Sequence, residues 1–244
     1  MPPIISSVEI IAISSIMNQG AFSNNFMAPN IIPPAEIITF WRFSEVFFAA
    51  SSFSTPSFSG LTRTFDLLQY LIDDVYKSFE ILDSDKESQY LRRVAVRTVF
   101  SFIEGIVQIV KFDLNFDIRH SRTEITLSSK EYELLHEVKI KDGEKFKIII
   151  PLEQNLKRTF KLAGKIWGLT GYQLDTTCSQ YTYFMYAKET RNKLAHPRTY
   201  YDIEISNDEM SYVAHAFEWV RQEFVKLISF NKLNKVQQST TADG

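Results

Sequence analysis

The stretch RTVFSFIEGIVQIVKF, residues 97–112, decides the fold class of this chain. Apolar residues return in it every three or four positions, which is the period of an amphipathic α-helix. Together with the capping-box spacing of Ser84 and Glu87, the pattern predicts a helix over about residues 86–112. Its apolar face comprises Leu91, Ala95, Val99, Phe102, Ile106 and Ile109, and its polar face comprises Arg97, Ser101, Glu104, Gln108 and Lys111.

The same periodicity extends to both sides of this stretch. One apolar stripe occupies Phe65–Leu82. Another occupies Met210–Leu227 and follows a second capping pair, Ser206 and Glu209, in the sequence. The predicted elements between them are helices over about residues 130–140, 151–167 and 176–196, a strand at Lys145–Ile150, and an irregular segment over residues 113–128. Because such helices cannot bury their apolar faces alone, we predict an all-α fold, an antiparallel helical bundle of about five helices.

Charge divides the chain into a leader, a bundle and a tail. Residues 1–60 contain one basic and three acidic residues, whereas the remainder of the 27 basic and 29 acidic residues come after them. We therefore predict a low-charge leader and linker over residues 1–60, the helical bundle over residues 61–230, and a flexible tail over residues 231–244. For the leader, three interpretations stay open: a disordered segment, a docking segment, or extra residues from a misassigned start codon.

Composition narrows the functional classes. The formal net charge of −2 lacks the basic excess of proteins that hold long nucleic acids, so we expect any RNA contact to be small and local. Cys178 is the only cysteine, which excludes an intrachain disulfide and a cysteine-based zinc site and fits the reducing cytoplasm. The apolar residues 2–16 are interrupted by Glu9 and too short to cross a bilayer, so we expect a cytoplasmic protein without membrane contact.

The segment KETRNKLAHPRTYYDIEISNDEMSYVAHAFEWV, residues 188–220, carries the candidate chemistry. Asn192 and His196 are one turn apart and share a helix face, while Arg191 points about 100° away but has a long side chain. At a helix C-terminus the dipole favours an imidazolium, so His196 is a candidate for moving protons. The guanidinium of Arg191 suits the charge on a phosphate, and Asn192 can orient the histidine or bind phosphate.

Arg191-Asn192-Lys193-Leu194-Ala195-His196 resembles the signature of the HEPN family, in which an arginine is followed after four to six residues by a histidine. Pro197 and the capped helix beyond it are similar to the segment after that motif in many HEPN proteins. Residues 97–112 are similar to the family's earlier core helix. The resemblance covers about residues 61–230 and is specific only over residues 188–220.

The resemblance implies a HEPN-like bundle and a metal-independent endoribonuclease of the kind found in toxin–antitoxin and antiphage-defence systems. Such an enzyme cuts RNA by attack of the ribose 2′-hydroxyl and leaves a 2′,3′-cyclic phosphate. It also implies a homodimer in which two motifs meet, a possible antitoxin partner, and neither a metal nor a cofactor. The alternative is a non-catalytic HEPN-like module that dimerises or binds a nucleotide or a protein partner.

Three further side chains are weighed as substrate-binding residues. Glu104 and Ser101 can reach the site from the second predicted helix, or they can belong to a solvated face. Tyr200, with its neighbour Tyr201, can stack on a base or pack over the end of the bundle. Arg191 itself has a structural alternative, in which it caps carbonyls or pairs with a nearby carboxylate such as Glu189 or Asp202.

A metal site is the weakest of the alternatives. Glu133 and His136 have the Glu-x-x-His spacing of di-iron carboxylate bundles, but such a centre needs a second copy and two more glutamates. His215 and Glu218 occur in the reverse order, so the set is incomplete. We therefore predict no metal ligands.

Overall fold

The computed structural model describes the backbone of residues 59–120 and 125–242 and the side chains of residues 67–120 and 125–231. The predicted leader lies outside the described residues except for its last two positions. Within the described part, most residues are helical, and a small two-stranded sheet is the other regular element. The prediction of an all-α helical bundle is confirmed, with six α-helices where about five were expected.

The described residues contain six α-helices in succession. They are α1 Ser59–Ser84, α2 Gln89–His120, α3 Ser129–His136, α4 Leu152–Ile166, α5 Ser179–Ala195 and α6 Asn207–Ala242. The strands β1 Val138–Lys141 and β2 Glu144–Lys147 form an antiparallel hairpin between α3 and α4, and a 3-10 helix, Tyr200–Ile203, precedes α6.

The central element of the core is α2, which contacts α1, α4, α5 and α6. The residues of the predicted apolar face are buried apart from Leu91, and the side chains of Phe102, Ile103 and Ile106 are inaccessible to solvent. Phe102 meets Phe217 of α6 edge to face, with ring centroids 4.8 Å apart. Since each such side chain contributes about 1.5–3 kcal/mol on burial, this face holds the bundle together.

Both ends of α2 differ from the prediction. The helix begins at Gln89, where Ser88 Oγ accepts from the N–H of Leu91, so the capping box predicted at Ser84 and Glu87 is wrong. It continues to His120 through residues that were predicted to be irregular. Tertiary contacts hold this extension: Leu114 is fully buried, and Trp167 Nε1 donates a 2.7 Å hydrogen bond to Asp117.

The region from α3 to α4 also departs from the prediction. The capping box of Ser128 and Glu131 begins α3 as expected, but the helix ends at His136 because Glu137 adopts a left-handed conformation with φ of 52°. A hairpin comes next, where the continuation of a helix and a single strand were predicted. Its turn at Asp142 and Gly143 was recognised from the sequence, and both residues have positive φ.

The connection between α5 and α6 is fastened to the start of α2. The buried guanidinium of Arg92 donates to the carbonyl oxygen of Ile205 and to Asn207 Oδ1, both at 2.7 Å. Gln89 bonds both the N–H and the carbonyl of Ile205, and Arg93 donates to the carbonyl of Ile203. These contacts direct the C-terminal end of α5 towards the N-terminal end of α2, so the two helices run antiparallel.

The last helix begins as predicted and ends later. Ser206 Oγ accepts from the N–H of Glu209, whose carboxylate accepts from the N–H of Ser206, so this capping box is confirmed. The backbone of α6 stays helical to Ala242, past the boundary expected at residue 231. Flexibility of the tail stays a prediction.

Candidate functional site

His196 is the first residue beyond α5. Its φ of −136° takes the chain out of the helix, and its N–H donates to the carbonyl oxygen of Asn192 at 3.1 Å. The helix thus spans Ser179–Ala195 where residues 176–196 were predicted, and it ends just ahead of the His196-Pro197 pair. The imidazole is exposed, and no hydrogen bond to it is formed by any residue in the described ranges. It is accessible to a ligand at the tip of the helix.

Arg191 joins α5 to α2. Its Nη2 lies 2.7 Å from Glu104 Oε1, and its Nη1 is 3.5 Å from Asn192 Oδ1. The two side chains of the ion pair are 38% and 47% exposed, so the pair is a surface bridge between helices. Neither carboxylate that was weighed as a local partner takes part: Asp202 instead accepts from the N–H groups of Arg198 and Thr199, which lower the pKa of Asp202.

A cleft of about 320 Å³ opens beside this ion pair, between α2 and α5. Three of the residues that were weighed from the sequence, Arg191, Glu104 and Ser101, line it together. The other lining residues are Val96, Arg97, Phe100, Leu194 and Ala195. The cleft therefore combines charged and hydroxyl groups on its rim with an apolar floor.

Arg97 is the residue that sequence reasoning placed on the polar stripe of α2 without assigning it a role. It stands one turn before Ser101 and two turns before Glu104, so all three lie on the face of α2 that borders the cleft. Its side chain is exposed and forms no hydrogen bond or ion pair with the side chains that the structure describes. The signal available in the sequence was its spacing of four and seven from those two residues.

The remaining residues of the prediction do not line the cleft. His196 and Asn192 are exposed on the helix tip next to it, but neither is among its lining residues. Tyr200 is 68% exposed in the 3-10 helix and contacts Tyr201 edge to face. Tyr201 borders a second cleft of about 520 Å³. The polar side chains of this cleft already have partners within the protein: Gln89 and Arg92 donate to the carbonyl of Ile205, and Lys193 donates to Glu209.

The residues weighed as metal ligands do not converge. His136 packs at a tilt against the ring of Tyr132, and His215 stacks on Tyr183; burial lowers the pKa of both imidazoles. Over residues 67–120 and 125–231, whose side chains the structure describes, no group of three or more histidine, cysteine, aspartate or glutamate side chains is arranged to hold a metal ion. The same residues include no helix whose length and hydropathy match a membrane span.

Comparison with protein-family models, with curated proteins and with solved structures finds no match to this chain. The evidence for function is therefore the arrangement of its own side chains. That arrangement is an exposed histidine at a helix tip, an arginine one turn and a half before it, and a small cleft that the arginine lines.

Proposed function

We propose that this protein is a metal-independent endoribonuclease. The ribose 2′-oxygen attacks the adjacent phosphorus, the bond from phosphorus to the 5′-oxygen breaks, and a 2′,3′-cyclic phosphate and a 5′-hydroxyl result. His196 takes the 2′-hydroxyl proton or protonates the leaving 5′-oxygen, and Arg191 stabilises the charge on the phosphate. The observation that carries the proposal is the exposed imidazole at the tip of α5, on the same short segment as a guanidinium that lines a cleft.

The guanidinium of Arg191 keeps donors for a phosphate while it is bound to Glu104. A guanidinium has five N–H donors. Nη2 donates to Glu104 and Nη1 donates to Asn192, so the other donors are available for a phosphate. Glu104 therefore acts as a positioning residue that aims Arg191 into the cleft. Asn192 supports the same orientation from within α5.

General acid–base catalysis at this site needs two proton-transfer groups, and we propose that the second comes from another copy of the chain. The other three histidines of the sequence do not line the cleft: His120 stacks on Phe116 at the far end of α2, His136 packs at a tilt against Tyr132, and His215 stacks on Tyr183. One chain thus supplies one histidine to this site. A homodimer in which two copies of His196 face one phosphate supplies both proton-transfer groups.

A second candidate function is a non-catalytic module that binds a nucleotide or a partner. The ion pair with Glu104 favours it, because a neighbouring carboxylate weakens the attraction of Arg191 for a phosphate. In this case His196 is a surface residue that makes no contribution to any reaction. The two candidates predict different effects of replacing His196: the first predicts loss of RNA cleavage, and the second predicts no effect on binding.

Cleavage of RNA by the purified protein in EDTA tests the proposal. We expect the wild type to produce 2′,3′-cyclic phosphate ends and the His196→Ala and Arg191→Ala variants to lose this activity by about a hundredfold or more. His120→Ala is the matched control, since His120 is also exposed at a helix end but far from the cleft. Cleavage by His196→Ala at the wild-type rate rules out His196 as the proton-transfer group and overturns the proposal, and a stable dimer without cleavage supports the second candidate.

A further inference from the structure

We propose that Arg97 binds a second phosphate of the RNA, next to the phosphate at Arg191, and that the cleft holds the nucleotide between them. The substrate is therefore single-stranded at the site. This inference rests on the proposed function, since it adds a binding residue and a substrate class to the same site. Its basis is the position, charge and surroundings of Arg97.

The two arginines stand at different levels of the cleft. With a rise of about 1.5 Å per residue, Arg97 lies roughly 10 Å along α2 from Glu104. Arg191 is held at the level of Glu104 by their 2.7 Å contact. A strand that runs along the cleft therefore meets one guanidinium and then the other.

The direction of α5 brings the histidine towards Arg97. On α2, Glu104 contacts Arg191 of α5, and Arg93 contacts Ile203, which lies beyond the end of α5. His196 comes between Arg191 and Ile203 in the chain, so the tip of α5 points to the end of the cleft at which Arg97 stands. A strand bound by His196 and Arg191 then passes within reach of Arg97.

The charge of Arg97 is available for a ligand. Arg92 and Arg93, on the same helix, donate to backbone carbonyls of the loop before α6. Arg97 has no such acceptor among the residues with described side chains, and the carboxylate of the cleft, Glu104, is taken by Arg191. The cleft therefore carries a positive charge that its own carboxylate does not balance, which attracts an anion.

The floor and size of the cleft fit one unstacked nucleotide. Val96, Phe100 and Leu194 form the buried apolar wall beneath the cleft, the exposed Ala195 can contact a ribose or a base, and the exposed Ser101 hydroxyl can bond a polar edge. A volume of about 320 Å³ is at the lower limit of ligand sites, which span roughly 300–1,000 Å³. An A-form duplex keeps its bases stacked inside, so it cannot place one here.

Binding of a short, single-stranded 2′-O-methyl oligouridine, monitored by fluorescence anisotropy, tests the role of Arg97 without cleavage. We expect Arg97→Ala to weaken binding on the order of tenfold. The slope of log affinity against log salt should also fall by about 0.7, the value for one lost contact to a single strand. Arg119→Ala is the matched control: it removes another exposed arginine of α2, outside the cleft, and should leave both quantities unchanged.

Two further binding measurements, with Arg97→Lys and with a duplex, distinguish the possible outcomes. Arg97→Lys retains the charge and should recover part of the affinity, whereas equal binding by wild type, Arg97→Ala and Arg119→Ala overturns the inference. A duplex of the same strand that binds as tightly as the single strand overturns the substrate class. If Arg97→Ala weakens binding but the wild type does not cleave RNA, the nuclease proposal fails while the phosphate contact of Arg97 stands.

Discussion

Loss of the ion pair between Lys111 and Glu137 should release the hairpin region from α2. Lys111 is 2% exposed, and its ammonium lies 2.8 Å from Glu137 Oε1, which also accepts from Gln108 at 2.9 Å. Burial lowers the pKa of Lys111, and the ion pair opposes that shift. Burial would raise the pKa of Glu137, but the hydrogen bonds from Lys111 and Gln108 outweigh it and hold the pKa below its usual value.

The magnitude depends on which partner is removed. Breaking a fully buried pair costs about 3–5 kcal/mol because the other charge is left without compensation. The Glu137 side chain is 31% exposed, so water partly replaces Lys111, and we expect Lys111→Met to lower the free energy of unfolding by about 2 kcal/mol. Glu137→Gln leaves the ammonium buried and should cost about 3 kcal/mol. The double variant should cost clearly less than the two single variants together.

Urea denaturation of the wild type, the two single variants and the double variant at pH 7 measures these free energies. A coupling of about 1.5 kcal/mol or more is expected. The exposed pair Lys77 and Glu80, measured in the same way, should show almost none, because both of its side chains are well solvated. Simple additivity of the Lys111 and Glu137 variants would refute the view that this pair joins the hairpin region to α2.

Two other outcomes concern the connection before α6 and the behaviour in acid. Arg92→Ala should lower the free energy of unfolding by about 3 kcal/mol, since it removes a charged donor from the buried carbonyl of Ile205 and from the carbonyl of Lys86 and Oδ1 of Asn207; a Cm in urea equal to the wild type's contradicts this. Glu131 and Glu153 have pKa values of about 2, owing chiefly to hydrogen bonds from Lys165 and Lys157. Their contribution is present above the ordinary value of 4.5 and is lost as the pH falls towards 2, so the Tm should decline over this window. Replacing both by glutamine should flatten the decline, and an unchanged profile would show that other groups cause it.

Local sequence patterns determined the elements on which the candidate site stands. The period of residues 97–112 identified α2 as a core helix, and the serine–glutamate pairs at Ser128 and Ser206 marked the starts of α3 and α6. Pro197 located the end of α5 and so placed His196 at a helix tip. These features are readable because capping and helical periodicity depend on residues only three or four positions apart.

Only the tertiary structure decided which distant residues meet. The ion pair of Arg191 with Glu104 spans 87 residues. Local spacing places Arg97 and Glu104 on one face of α2, but it does not determine whether that face is solvated or borders a cleft. The extension of α2 to His120 likewise depends on Trp167 and on burial of Leu114. Pairings of this kind arise when packed helices bring side chains together, so their energies appear only after the bundle has formed.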